Sequence, residues 1–196
     1  MTAISVRDNV YVTADDDVLW QYEDQSPPTV QTERRVALGL VTEHSAIMED
    51  CLRTAFCSLL GGPYAAVVAG GQGAEWLIAN CKAVAQVHRG ITGDQRAAIK
   101  AALEDCSAAN SRRNTLVHGL KAAGRATDGS FFTLRSRKGS HLAVQEPWTA
   151  AETQSVATAL WQAAASLTEV MEDALPEEAA NAVWLDLLER AKPPSD

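Results

Sequence analysis

The sequence predicts an all-α protein: an up-and-down helical bundle of about four main helices, with a small β-hairpin insertion at about 130–146, a short N-terminal strand segment and a C-terminal tail helix. Three observations lead there. Apolar residues recur at three- and four-residue spacing through several long stretches. Two capping-box patterns, Thr92 with Gln95 and Thr149 with Glu152, mark helix starts. In a chain of 196 residues, 46% hydrophobic and 21% charged side chains suit one domain with a sizeable core.

Each element follows from local pattern. Val10, Val12, Val18 and Trp20 alternate with polar neighbours around Asp15, Asp16 and Asp17, which predicts one or two short strands with an acidic turn. Pro27 and Pro28 then act as a stiff connector. Residues 1–31 therefore read as an extension, 32–191 as the helical domain with the hairpin region 121–147 inside it, and 192–196 as a tail. A long helix is expected from about Thr32 to Leu60, its inner stripe formed by Val36, Leu40, Ile47, Cys51, Leu52, Ala55, Phe56 and Leu59, with Gly61-Gly62-Pro63 as its stop. Residues 64–73 read as a buried connector or a short helical turn.

A second helix runs from about Ala74 to His88, with Trp76, Leu77, Cys81, Val84 and Val87 inward. A third starts at Gly93 or Asp94, carries Ile99, Leu103 and Cys106 on its apolar stripe, pauses at Asn110-Ser111 and resumes through His118. Gly119 is its natural stop. Phe131 to Arg135 alternate, Lys138-Gly139 can turn, and Leu142 to Val144 can return, which predicts the hairpin. Val156, Leu160, Ala163, Ala164, Leu167 and Met171 form the stripe of the next helix. Pro176, with Glu177 and Glu178 in the first turn, opens the tail helix, whose buried face is Val183, Trp184, Leu187 and Leu188.

Composition excludes several classes. A net charge of -8 argues against a surface coated for non-specific nucleic-acid binding. Cys51, Cys57, Cys81 and Cys106 have neither zinc-site nor disulfide-framework spacing and are expected on buried helix faces. Gly70-Gly71-Gln72-Gly73 lacks the Gly-Lys-Ser/Thr of a nucleotide P-loop. The aspartates at 15–17 lack the spacing of a calcium loop. Neither a signal peptide nor a membrane-spanning apolar run is recognised, so the expected location is cytoplasmic. No metal or organic cofactor is implied.

One string carries chemistry: Ser111-Arg112-Arg113-Asn114-Thr115-Leu116-Val117-His118-Gly119. Cleaving an RNA phosphodiester without metal needs a proton shuttle near neutrality, a fixed cation and a donor that orients the phosphate. His118, Arg113 and Asn114 supply these in that order. Asn114 and His118 are four residues apart and share a helix face. A basic island follows, with Arg112, Lys121, Arg125, Arg135, Arg137 and Lys138 as candidate RNA-binding residues and Asp128 as the one acid between 112 and 138. Of the other histidines, His44 is expected at solvent, His88 near a helix end in a capping role, and His141 beside the island.

The Arg113-Asn114-x-x-x-His118 pattern, late in a helical bundle and followed by another long helix, resembles the signature of HEPN-domain proteins. The resemblance covers the organisation of residues 32–173 and, as a motif, residues 112–119. It implies a metal-independent endoribonuclease of toxin–antitoxin or phage-defence type, a hydrolase in the broad sense. Arg113 and His118 would be catalytic and Asn114 supporting. RNA would be the substrate, and a homodimer would bring two motifs to one cleft. An antitoxin or regulatory protein is an implied partner; no DNA specificity is implied. Leu120 stands where one branch of the family has a tyrosine as a modification target. The alternative reading is a non-catalytic helical dimerisation or regulatory module, with His118 a structural residue in a last helical turn.

Overall fold

The computed structural model describes the backbone at residues 4–6, 10–12, 28–62, 64–118, 120–123, 131–136 and 143–175, and side chains at 29–30, 32–62, 64–117 and 148–175. Within these the fold is all-α. Its helices are α1 (Pro28–Leu60), α2 (Ala65–Ala69), α3 (Ala74–Val87), α4 (Gly93–His118) and α5 (Ala150–Ala174). Backbone strands are assigned at β1 (Ile4–Val6), β2 (Val10–Val12), β3 (Leu120–Ala123), β4 (Phe131–Ser136) and β5 (Ala143–Trp148), with β1 antiparallel to β2 and β4 antiparallel to both β3 and β5. The acidic turn at 15–17, Val18, Trp20 and the tail-helix residues from 176 onward lie outside the described residues.

α1 begins at Pro28, ahead of the expected Thr32. Proline fits a first helical position, because its φ is already helical and the N–H it lacks would have no intrahelical partner there. Pro28 is thus part of the helix rather than a connector. The helix stops where Gly61 and Gly62 adopt φ of +67° and +78°, a region that suits glycine and ends helical geometry.

The core lies where α1 and α4 meet α5 and where α3 bridges α1 and α4. Leu52, Leu77, Leu103, Leu116, Leu160 and Leu167 are fully buried in it. The stripes of α4 and α5 are as the periodicity predicts: Ile99, Leu103 and Cys106, and Val156 through Met171, are all buried. α1 differs over its N-terminal half. Val36 is exposed and Leu40 and Ile47 are half-buried, while Ala37, Val41, His44, Ser45 and Met48 face inward. The inner face there lies one residue on, about 100° around the helix. α5 sets that face: its Ala157 carbonyl takes the His44 ring, and Ala37, Val41, Ser45 and Met48 turn inward on the same side. On α3, Val87 is 75% exposed and Trp76 and Val84 are half-buried; Ile78 and Ala85 take the inner positions with Leu77 and Cys81.

Helix direction follows from paired contacts. Arg112, Cys106 and Gln95 of α4 reach Ser155, the Ala163 carbonyl and the Asp173 carbonyl of α5, so these two helices run oppositely. His44 and Cys51 of α1 meet Ala157 and Thr168 of α5. Positions advance together along that pair, so α1 and α5 run the same way, and a strict up-and-down order does not hold. α2 and its flanking turns separate α1 from α3, so successive long helices need not alternate.

Both capping boxes form. Thr149 Oγ1 accepts from the Glu152 N–H at 3.1 Å while the Glu152 carboxylate accepts from the Thr149 N–H at 2.7 Å. Thr92 and Gln95 do the same at 3.2 and 3.0 Å. α4 then runs without a break through Asn110 and Ser111, contrary to the expected pause. Asn110 is buried within it, on the inner side.

Candidate functional site

Arg113 and Asn114 sit in the penultimate turn of α4, and His118 is its last residue. Leu116 is fully buried and Thr115 nearly so, its hydroxyl donating back to the Ser111 carbonyl at 3.1 Å. These two residues anchor the turn. Arg113 and Asn114 are left half-buried at the edge of the core.

Arg113 Nη1 donates to Asn114 Oδ1 at 3.0 Å, and Asn114 Nδ2 donates to Glu75 Oε1 at 3.4 Å. The amide orientation is chemically required: a guanidinium only donates and a carboxylate accepts, so the amide oxygen must face Arg113 and the nitrogen Glu75. Arg113 Nε is buried and has no hydrogen-bond partner among the described residues. A buried N–H of this kind costs about 1–3 kcal/mol unless something accepts from it.

Sequence reasoning missed Glu75. It lies in the first turn of α3, where an acid suits the helix dipole, and that ordinary role conceals the contact. Its partner is 39 positions away, a relation that helical periodicity does not encode.

The structure separates Arg112 from this group. Arg112 is about 200° around α4 from Asn114, and its Nη2 donates to Ser155 Oγ on α5 at 3.2 Å. Among the other candidates, Lys121 and Arg135 fall in β3 and β4, with side chains outside the described residues. Arg125, Arg137, Lys138 and His141 lie outside the described residues altogether, as do Gly119 and the side chain of His118.

The remaining histidines divide. His44, expected at solvent, is 3% exposed, with Nδ1 2.8 Å from the Ala157 carbonyl oxygen. A carbonyl accepts, so Nδ1 carries the proton and joins α1 to α5. His88 closes α3, its Nδ1 accepting from the Gly90 N–H at 3.1 Å. Arg96 adds to that closure: Nε and Nη2 donate to the Ala85 and His88 carbonyls at 2.9 and 3.1 Å, satisfying two acceptors at a helix end.

The cysteines are core residues rather than nucleophiles. Burial pushes the Cys51 thiol up to about 11 and those of Cys81 and Cys106 up to about 12, from an ordinary 9.0. The half-buried Cys57 is raised by the same cause. Among the described residues no three His, Cys, Asp or Glu side chains are grouped to hold a metal ion, and no helix is long and apolar enough to cross a membrane. Compared with protein-family models, with curated proteins and with solved structures, the chain matches none.

Proposed function

We propose that this chain is a metal-independent endoribonuclease of the HEPN type that works as a homodimer. One observation carries the reading: the Arg113 guanidinium is held by Asn114 and has an unpartnered buried Nε, five residues before a histidine at the end of the same helix. A fixed cation with a spare donor is suited to the charge that builds on a phosphate in transfer.

In this reading His118 removes the proton from a ribose 2′-hydroxyl. The 2′-oxygen then bonds to phosphorus, and the bond to the 5′-oxygen breaks. The leaving oxygen takes a proton from a second imidazole, His118 of the partner subunit. The products are a 2′,3′-cyclic phosphate and a 5′-hydroxyl. A two-fold axis is the economical source of both base and acid, since each chain brings one such motif. Asn114 acts through Arg113, because both ends of its amide are engaged within the protein. The basic residues Lys121, Arg125, Arg135, Arg137 and Lys138, which follow the motif in the sequence, would track the RNA. Arg112, turned to Ser155, is the weaker member of that set.

A second reading has its own support. The Glu75 carboxylate beside Asn114 disfavours a phosphate there, as a regulatory or dimerisation module would tolerate. The decisive experiment is purified protein against labelled RNA in EDTA. Cleavage to cyclic-phosphate ends by wild type, lost in His118→Ala, supports the nuclease. Intact RNA with wild type, or equal cleavage by His118→Ala, sinks it in favour of the module.

A further inference from the structure

α3 and α4 leave a cleft of about 530 Å³ between them, and its charge is unusual for this chain. Lys82 and Gln86 of α3 and Arg96 and Lys100 of α4 line it, over a floor that includes Ala85 and Leu103. None of its lining residues is acidic, although the whole chain carries a net charge of -8. Lys100 meets one acid, Glu104 a turn further on, at 3.8 Å with both side chains exposed, which is a weak pair.

The cations are set in place to different degrees. Arg96 is fixed by its two bonds to the end of α3, and its Nη1 makes no hydrogen bond among the described residues. Lys82 is half-buried and Lys100 exposed, so both can move to meet a ligand.

The cleft lies on the same pair of helices as Asn114 and Glu75. Arg96, Lys100 and Asn114 fall within about 40° of one another around α4. Glu75, Lys82 and Gln86 fall within about 40° on α3. One α3/α4 seam therefore joins the Asn114–Glu75 contact to the cationic cleft, and Arg96 and Asn114 are roughly 27 Å apart along α4. The cations follow the seam between two packed helices, whose axes typically lie about 8–10 Å apart, a spacing one phosphodiester strand can follow.

We infer that the α3/α4 cleft, through Lys82, Arg96 and Lys100, binds the phosphate backbone of single-stranded RNA leading to or from the Arg113 site. The inference rests on the ribonuclease reading and adds the substrate class, single rather than double strand. Three cations and an apolar floor outweigh the one amide, Gln86, so binding depends weakly on sequence and strongly on salt.

The test uses a fluorescent single strand with 2′-O-methyl riboses, which lack the attacking hydroxyl and stay intact, read by anisotropy across a salt series. Wild type binds it more tightly than the matching duplex. The double variant Lys82→Ser with Lys100→Ser binds it roughly tenfold more weakly, and its salt slope is shallower by about 1.4, as expected for two lost cations on a single strand. Lys100 is exposed and Lys82 half-buried, and an unchanged circular dichroism spectrum shows that the variant folds. Wild-type affinity and slope in the double variant overturn the cleft, as does a wild type that binds the duplex equally well or binds no single strand at low salt. The nuclease reading is judged separately on unmodified RNA. A wild type that binds through the lysines but never cuts supports the cleft and removes the catalysis. Cleavage with lysine-independent binding does the reverse.

Discussion

Asn114 on α4 donates to the Glu75 carboxylate on α3 at 3.4 Å and, with its other amide end, accepts from Arg113 at 3.0 Å. This relay joins the first turn of one helix to the penultimate turn of another, and it fixes where the Arg113 cation can lie. It also makes an amide expected on phosphate into a positioning group.

The relay is testable by kinetics. Asn114→Ala is expected to lower kcat for RNA cleavage about tenfold with KM little changed, the scale of one hydrogen bond of about 1.4 kcal/mol. Glu75→Gln should lose less, because its side-chain oxygen can still accept. Combined with Asn114→Ala it should add nothing further, since the route through Asn114 is already gone. Additive losses in the double variant would show that Glu75 acts by another path.

Arg113 itself separates catalysis from folding. Arg113→Ala should reduce kcat/KM by about 3–4 kcal/mol of transition-state stabilisation. Arg113→Lys should recover part of that, because an ammonium supplies charge without the two-pronged donor. Stability should change little in either, since the variants also remove a buried N–H that has no partner among the described residues. Chemical denaturation checks the second expectation, and a large shift in midpoint would mark Arg113 as a structural residue.

How far the sequence was legible depends on the range of the interaction. Capping boxes at Thr92 and Thr149 were readable because donor and acceptor are three residues apart. The stripes of α4 and α5 were readable because strong apolar periodicity and burial coincide there. α1 was misread over Val36, Leu40 and Ile47 because its inner row mixes the polar His44 and Ser45 with Ala37, Val41 and Met48, and hydrophobicity alone then points to the adjacent row. Glu75 and His44 were hidden for one reason: each is defined by a partner in a distant element, Asn114 or Ala157, and no local pattern records that pairing.

His44 carries a stability prediction. Its imidazole fills a buried site and donates from Nδ1 to the Ala157 carbonyl between α1 and α5. His44→Ala should destabilise by about 2–3 kcal/mol, combining an unfilled cavity with a lost buried hydrogen bond. His44→Asn, which keeps a donor, should lose less, whereas His44→Phe should be no better than alanine because it is bulkier and cannot donate. Urea midpoints at constant m-value distinguish these. Near-equal stability of the alanine variant would mean that the α1–α5 contact closes without the ring.

The thiols give the protein an alkaline limit. In the folded chain burial holds the Cys51 thiol up to about 11 and those of Cys81 and Cys106 up to about 12, against an ordinary 9.0 for an unfolded cysteine. Well below pH 9 both states keep these protons, and the thiols add no pH dependence. Between about 9 and 12 the unfolded chain releases protons that the folded chain retains, so ν_U falls below ν_N and stability declines as pH rises. Each thiol contributes a slope of up to about 1.4 kcal/mol per pH unit in that window. A variant with Cys81→Ala and Cys106→Ala starts less stable at pH 7 because its core is less well filled, yet it should lose stability more slowly between pH 9 and 11. Below pH 9 the same burial predicts slow reaction with a thiol reagent at Cys51, Cys81 and Cys106 and faster reaction at half-buried Cys57, with all four reacting in denaturant. Parallel alkaline stability curves for wild type and double variant would show that other groups set the limit.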